Sequence, residues 1–129
     1  MNIVMLDSDQ LAGEPDFPEV DLPKFGWLQY THTPSEETSE RCWRGDVIVS
    51  VSTPVDKETI DKAFKLKMII AAGEKFDHID IETAQARGIK ICNVPGLDPA
   101  NSAESQQICD SVIETINALV KGQEHNRVA

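Results

Sequence analysis

Asp46-Val47-Ile48-Val49-Ser50-Val51, Leu66-Lys67-Met68-Ile69-Ile70-Ala71-Ala72 and Ile89-Lys90-Ile91-Cys92-Asn93-Val94 are three short apolar runs in succession along one chain. Each is rich in apolar, largely β-branched residues and short enough for a fully buried strand. Between the first two runs, Asp56 is placed to cap a helix that continues through about Phe64. Between the second and third, Asp80 caps a helix over residues 81–87, and Gly88 ends it. Strands that alternate with helices must pair in parallel, because each helix carries the chain back across the sheet. The stretch therefore predicts an α/β fold.

Working towards the N-terminus, Ile3-Val4-Met5-Leu6 reads as a further buried strand that ends in Asp7-Ser8-Asp9. Residues 11–24 are dense in proline and acid, which predicts a long surface loop. Residues 26–30, with Trp27 and Tyr30, supply another strand. Thr33-Pro34-Ser35-Glu36 has the form of a helix start with Thr33 as its cap, and the helix is expected to reach about Trp43 before Gly45 stops it. Towards the C-terminus, Pro95-Gly96 turns the chain. Asn101-Ser102-Ala103-Glu104 then opens the longest helix, to about Lys121, with Gly122 as its stop. Five strands in this arrangement predict a flavodoxin-like parallel sheet in the order 2-1-3-4-5 with helices on both faces. Ligands of such sheets bind at the carboxyl ends of the strands. Here those ends are residues 7–9, 50–52, 73–76 and 95–97.

At 129 residues the chain is expected to form one domain over residues 1–129, with enough core to fold without a disulfide or metal. Asp plus Glu total 22 against 12 for Lys plus Arg, a net charge of -10. Such a surface repels nucleic-acid phosphates and anionic membranes, which removes both as expected partners. Cys42, Cys92 and Cys109 have no paired spacing, so neither a disulfide framework nor a zinc site is indicated. They read as small buried hydrophobes. The N-terminus lacks a basic start and a long apolar run, and no stretch approaches a membrane span, so a cytoplasmic location is expected. Asp7 and Asp9 form an acidic pair after the first strand, but no Asp follows the third strand to serve as a phospho-acceptor. Ser50 and Ser52 have no histidine beside them for a hydrolase triad.

One series of residues goes further than a generic α/β pattern. Gly73-Glu74-Lys75-Phe76-Asp77-His78-Ile79-Asp80 leads into Ala84, Ala86-Arg87-Gly88-Ile89, then Cys92-Asn93-Val94-Pro95-Gly96 and Ser102-Ala103-Glu104. In order and spacing this resembles the D-2-hydroxyacid dehydrogenase family, in its glycerate and phosphoglycerate dehydrogenase branch. The resemblance is strongest over residues 46–104. It implies the substrate-binding half of a two-domain oxidoreductase, in which a separate Rossmann domain binds NAD or NADP and carries the catalytic Arg, Glu and His. The matching segment is the first domain only, so the chain is expected to be truncated relative to the family, to hold no cofactor and to be inactive alone. The glycine spacing agrees, because no G-x-G-x-x-G occurs.

No catalytic residue carries over. Substrate binding does: the resemblance implies that the loop at Gly73, Glu74 and Lys75 offers backbone N–H groups to the carboxylate of a small 2-hydroxy or 2-oxo acid, helped by Ser50 and Val51. Exposed amides in a glycine-containing loop make an anion nest, so the chemistry is consistent. Two departures stand out. Lys75 occupies the family's second glycine position, where a positive φ would cost roughly 1 kcal/mol and reshape the loop. Ser50 and Val51 bring no positive charge, which disfavours a phosphorylated acid.

The last helix separates into a polar side (Gln106, Gln107, Asp110, Ser111, Glu114, Thr115, Asn117) and an apolar side (Ile108, Val112, Ile116, Leu119, Val120). A wet face there fits a chain adapted to life without a nucleotide domain. It also leaves a second reading open: an interaction or regulatory module that forms a homo- or heterodimer through the apolar side of residues 108–120.

Overall fold

The computed structural model describes residues Met1–Ala129. Five strands, β1 (Asn2–Met5), β2 (Gly26–Gln29), β3 (Val47–Ser50), β4 (Met68–Ala71) and β5 (Lys90–Cys92), form one parallel sheet in the order β2-β1-β3-β4-β5. Four helices connect or cover them: α1 (Thr38–Cys42), α2 (Lys57–Lys62), α3 (Ile81–Ala86) and α4 (Ser102–Val120). The predicted α/β class and strand order hold.

Side chains alternate across a strand, so each central strand feeds two cores. Ile3, Met5, Val47, Val49, Met68 and Ile70 point to one face, where Ile108, Val112 and Ile116 of α4 cover them. Val4, Leu6, Ile48, Ile69, Ala71 and Ile91 point to the other, against Cys42 of α1, Ile60 of α2 and Ala84 of α3. The runs read as uniformly apolar in sequence because both faces are covered. Register follows: Ile3 pairs with Val47, Val47 with Met68, and Ile69 with Ile91.

The helix starts behave as expected at three of four places. The carboxylates of Asp56 and Asp80 and the side-chain oxygen of Asn101 accept from the backbone N–H groups of Thr59, Thr83 and Ala103. Gly88 takes φ +71 just past α3, a value that only glycine adopts without strain. Thr33 is the exception. It caps nothing; its buried hydroxyl donates to the Leu6 carbonyl at 2.7 Å, and Ser35–Glu37 forms a 3-10 turn before the five-residue α1. A bond across 27 residues won over the local cap because the Leu6 carbonyl at the end of β1 is buried and must be paired.

Two polar segments are less free than their composition suggests. The loop over residues 11–24 is tied to α4. Ala12 donates to Pro99, Asp16 donates to the Gln106 side chain, whose amide nitrogen returns a bond to the Asp16 carbonyl, and Asp21 donates to Asn117. Part of the predicted wet side of α4 is thus a bonding surface for this loop. Thr115, placed on that side by periodicity, is buried, with its hydroxyl 3.0 Å from the Ser111 carbonyl and 2.8 Å from His125 Nδ1. The apolar side of α4, expected as a contact for another chain, packs on this chain's own sheet. At the far end, Asn126–Ala129 runs antiparallel along β5: Val128 N–H donates to Ile91 O at 2.8 Å and Ile91 N–H to Ala129 O at 3.1 Å.

Candidate functional site

The carboxyl ends of the strands open into a cleft of about 530 Å³. Gln10 contributes from the 3-10 turn after β1, and Val51 and Ser52 follow β3. Gly73, Glu74 and Lys75 follow β4, and residues 96–100 follow β5. Glu104, in the first turn of α4, closes the far wall. The lining mixes the apolar groups of Val51, Leu97, Pro99 and Ala100 with polar and charged ones, as small-ligand sites do.

The Gly73–Lys75 loop is held from behind. Val94 N–H donates to Gly73 O at 2.9 Å, and the buried Asn93 side chain donates to Glu74 O at 2.9 Å. The carbonyls of Gly73 and Glu74 are thus engaged, while the amide N–H groups of Gly73, Glu74 and Lys75 donate to no other group of the protein. Successive unspent backbone donors beside a cleft are the kind of arrangement that can hold an anionic group. Lys75 keeps an ordinary negative φ, so the expected strain at the second glycine position does not arise. Gly73 leaves room for another contact: a Cβ there would lie 3.3 Å from the Pro99 ring, so a larger residue would press on the residues after β5.

The loop after β3 is organised by Asp7. Its carboxylate is 1% exposed and accepts four bonds, from the N–H groups of Val51, Ser52 and Thr53 and from the Thr53 hydroxyl, at 2.7 to 2.9 Å. An internal carboxylate therefore fills this second nest. The Val51 amide is spent on Asp7, and Val51 meets the cleft by its side of the wall rather than as a donor. Ser50 is fully buried, with its hydroxyl donating to Thr53 O at 2.7 Å and its carbonyl 3.3 Å from His78 Nε2. It supports the loop and does not line the cleft. Of the five residues predicted to contact a ligand, the structure brings Val51, Gly73, Glu74 and Lys75 together and leaves Ser50 behind them.

Sequence reasoning missed Gln10, Asp98, Pro99, Ala100 and Glu104. The strand-end rule indicated residues 95–97. Nothing local said that α4 would fold back to bring Glu104 beside the loop after β4. The sequence presents Asp7 as one of an acidic pair, and nothing in its local spacing marks the bonding to residues 51–53.

Three of the four helix N-termini are closed to the pyrophosphate of a dinucleotide. A pyrophosphate needs open amides at a helix N-terminus. Here the N-termini of α2, α3 and α4 are filled by Asp56, Asp80 and Asn101, and Glu58, Glu82 and Glu104 add negative charge to the first turns. No group of three or more His, Cys, Asp or Glu residues is placed to hold a metal, and no helix is long and apolar enough to cross a membrane.

Comparison with known proteins places this architecture. Residues 8–128 match the catalytic domain of the D-isomer specific 2-hydroxyacid dehydrogenases. The chain is similar to a glyoxylate reductase of Thermococcus litoralis, 37% identical over 82 residues that cover 63% of this chain and 24% of that protein. It is similar to a D-3-phosphoglycerate dehydrogenase of Methanocaldococcus jannaschii, 41% identical over 70 residues, or 54% of this chain and 13% of the relative. Among solved structures, the NAD+-bound 3-phosphoglycerate dehydrogenase of Entamoeba histolytica superposes with a TM-score of 0.61 at 25% identity, covering 74% of this chain and 33% of that one. The chain spans a third or less of the length of the curated relatives it matches. From strand order to the glycine loop after β4, sequence and structure agree that this chain belongs to the D-isomer specific 2-hydroxyacid dehydrogenase family, within its catalytic domain.

Proposed function

We propose that these residues are a receptor for the carboxylate of a small 2-hydroxy or 2-oxo acid and do not transfer hydride alone. The observation that carries the reading is the trio of unspent N–H groups at Gly73, Glu74 and Lys75, residues that line the cleft at the carboxyl ends of the strands. A carboxylate bound there would exchange bonds to water for three fixed donors, with the Lys75 ammonium beside them. Family membership supports the substrate class. The lack of a dinucleotide cradle supports the second half of the reading: in relatives such as the NAD+-bound phosphoglycerate dehydrogenase the redox partner is a nicotinamide cofactor. Hydride chemistry would then need a nucleotide-binding unit from outside these residues.

The test is a titration of the isotope-labelled chain with glyoxylate. Amide resonances of residues 73–75 are expected to move at millimolar ligand, while NADH absorbance in the same sample stays constant. Unmoved resonances would remove the receptor. NADH consumption by the purified chain would remove the claim that it is inactive alone.

A further inference from the structure

The charge of the cleft limits what else the acid can carry. Lys75 is the only cationic side chain in the lining, against the carboxylates of Glu74, Asp98 and Glu104. Arg41 is bound to Glu37 and Arg127 to Glu124, Arg87 donates to the Ile60 and Ala63 carbonyls, and Arg44 stacks over Trp43, so no guanidinium reaches the site. Phosphate recognition normally relies on such planar, multiply bonding cations. A second nest could have served instead, but the N–H groups of residues 51–53 already hold the Asp7 carboxylate. The N-terminus of α4 favours anions through its dipole, but Asn101 caps it and Glu104 stands in its first turn. The three free amides at residues 73–75 thus provide for one anionic group, and the opposite wall, at residues 98 and 104, is acidic.

We infer that the cleft selects monoanionic acids with an uncharged tail, and that Asp98 and Glu104 repel a second negative charge such as a phosphate or a further carboxylate. The inference rests on the receptor reading above and names its substrate class. Asp98 is suited to the test because its carboxylate also accepts from Ala100 N–H at 2.9 Å, a bond that asparagine keeps. The Glu104 side chain makes no hydrogen bond or ion pair, so Glu104→Gln changes charge and little else.

D-glycerate and 3-phospho-D-glycerate form a matched pair that differs by the phosphate. Titrated into the full chain and followed at the amides of residues 73–75, D-glycerate is expected to bind roughly tenfold more tightly at low ionic strength, the size of effect that nearby, partly screened like charges produce. The gap is expected to close in D98N/E104Q, with the fold checked by circular dichroism, and to narrow in the unaltered chain as salt is raised. Equal or tighter binding of the phosphorylated acid by the unaltered chain would overturn the selectivity alone. A gap unchanged both in the double variant and at high salt would overturn its assignment to these carboxylates. Failure of both acids to move residues 73–75 would overturn the receptor reading, and the selectivity with it.

Discussion

Asp7 reaches from the end of β1 to the loop after β3 and satisfies three backbone donors and a hydroxyl at once. Asp7→Ala would leave these partly buried groups unpaired. Bonds to a charged acceptor contribute about 1.5–3 kcal/mol each when broken singly, so a loss of about 3 kcal/mol in chemical denaturation is expected for the set. A loss below about 0.5 kcal/mol, the range of an ordinary surface change, would contradict the arrangement. The cysteines are a second case in which environment decides chemistry. Burial pushes the thiols of Cys42 and Cys109 up to about 12 and that of Cys92 to about 11, with Arg41 opposing the shift at Cys42 and Arg127 at Cys92. The thiolate is the reactive form, so native protein near neutral pH should resist a thiol reagent, and all three cysteines should react on unfolding. A fast-reacting native thiol would contradict their burial. Residues such as these show where sequence reading stops. Asp7 and Thr33 find partners 44 and 27 positions away, and neither bond leaves a trace in local spacing.

At the scale of elements, the caps are the most legible feature and also the easiest to test. Asn101 holds the start of α4 through Ala103 N–H at 2.9 Å. Asn101→Ala is expected to cost about 1 kcal/mol, read as a lower denaturation midpoint. Asp80 caps α3, and bonds from the Thr83 N–H and hydroxyl, with help from Lys57, hold its carboxyl below the usual carboxylate value. The native value lies below the unfolded one, so across that interval the unfolded chain binds more protons and stability rises with pH. The contribution is complete above the unfolded carboxylate value and disappears as pH falls through the native one. The difference in stability between the protein and Asp80→Asn should therefore shrink on acidification; a difference independent of pH would contradict it. Strands β3, β4 and β5 were legible because both of their faces are apolar. α1 is shorter than its sequence predicts. Its residues suit a helix, but the anchoring of Thr33 at Leu6 and the 3-10 turn at Ser35–Glu37 leave only five residues of α-helix.

In the whole molecule, one long helix covers one face of the sheet and three short ones cover the other, with the loop over residues 11–24 bonded along α4. β1, β3 and β4 lie between neighbours on both flanks and are buried on both faces. Their amides should be the slowest to exchange with solvent, and those of β2, whose outer residues Leu28 and Gln29 are exposed, the fastest among the strands. The cleft was only half readable at this scale. Residues 51 and 73–75 follow from the rule that ligands sit at strand ends, whereas Asp98 and Glu104 depend on where α4 folds.

The segment Asn126–Ala129 gives β5 a partner on its outer flank. The outward backbone groups of Ile91 are thereby paired, whereas no strand lies on the outer side of β2. An uncovered strand offers its N–H and C=O groups as a template for a foreign chain, so unwanted association of this fold would begin along β2.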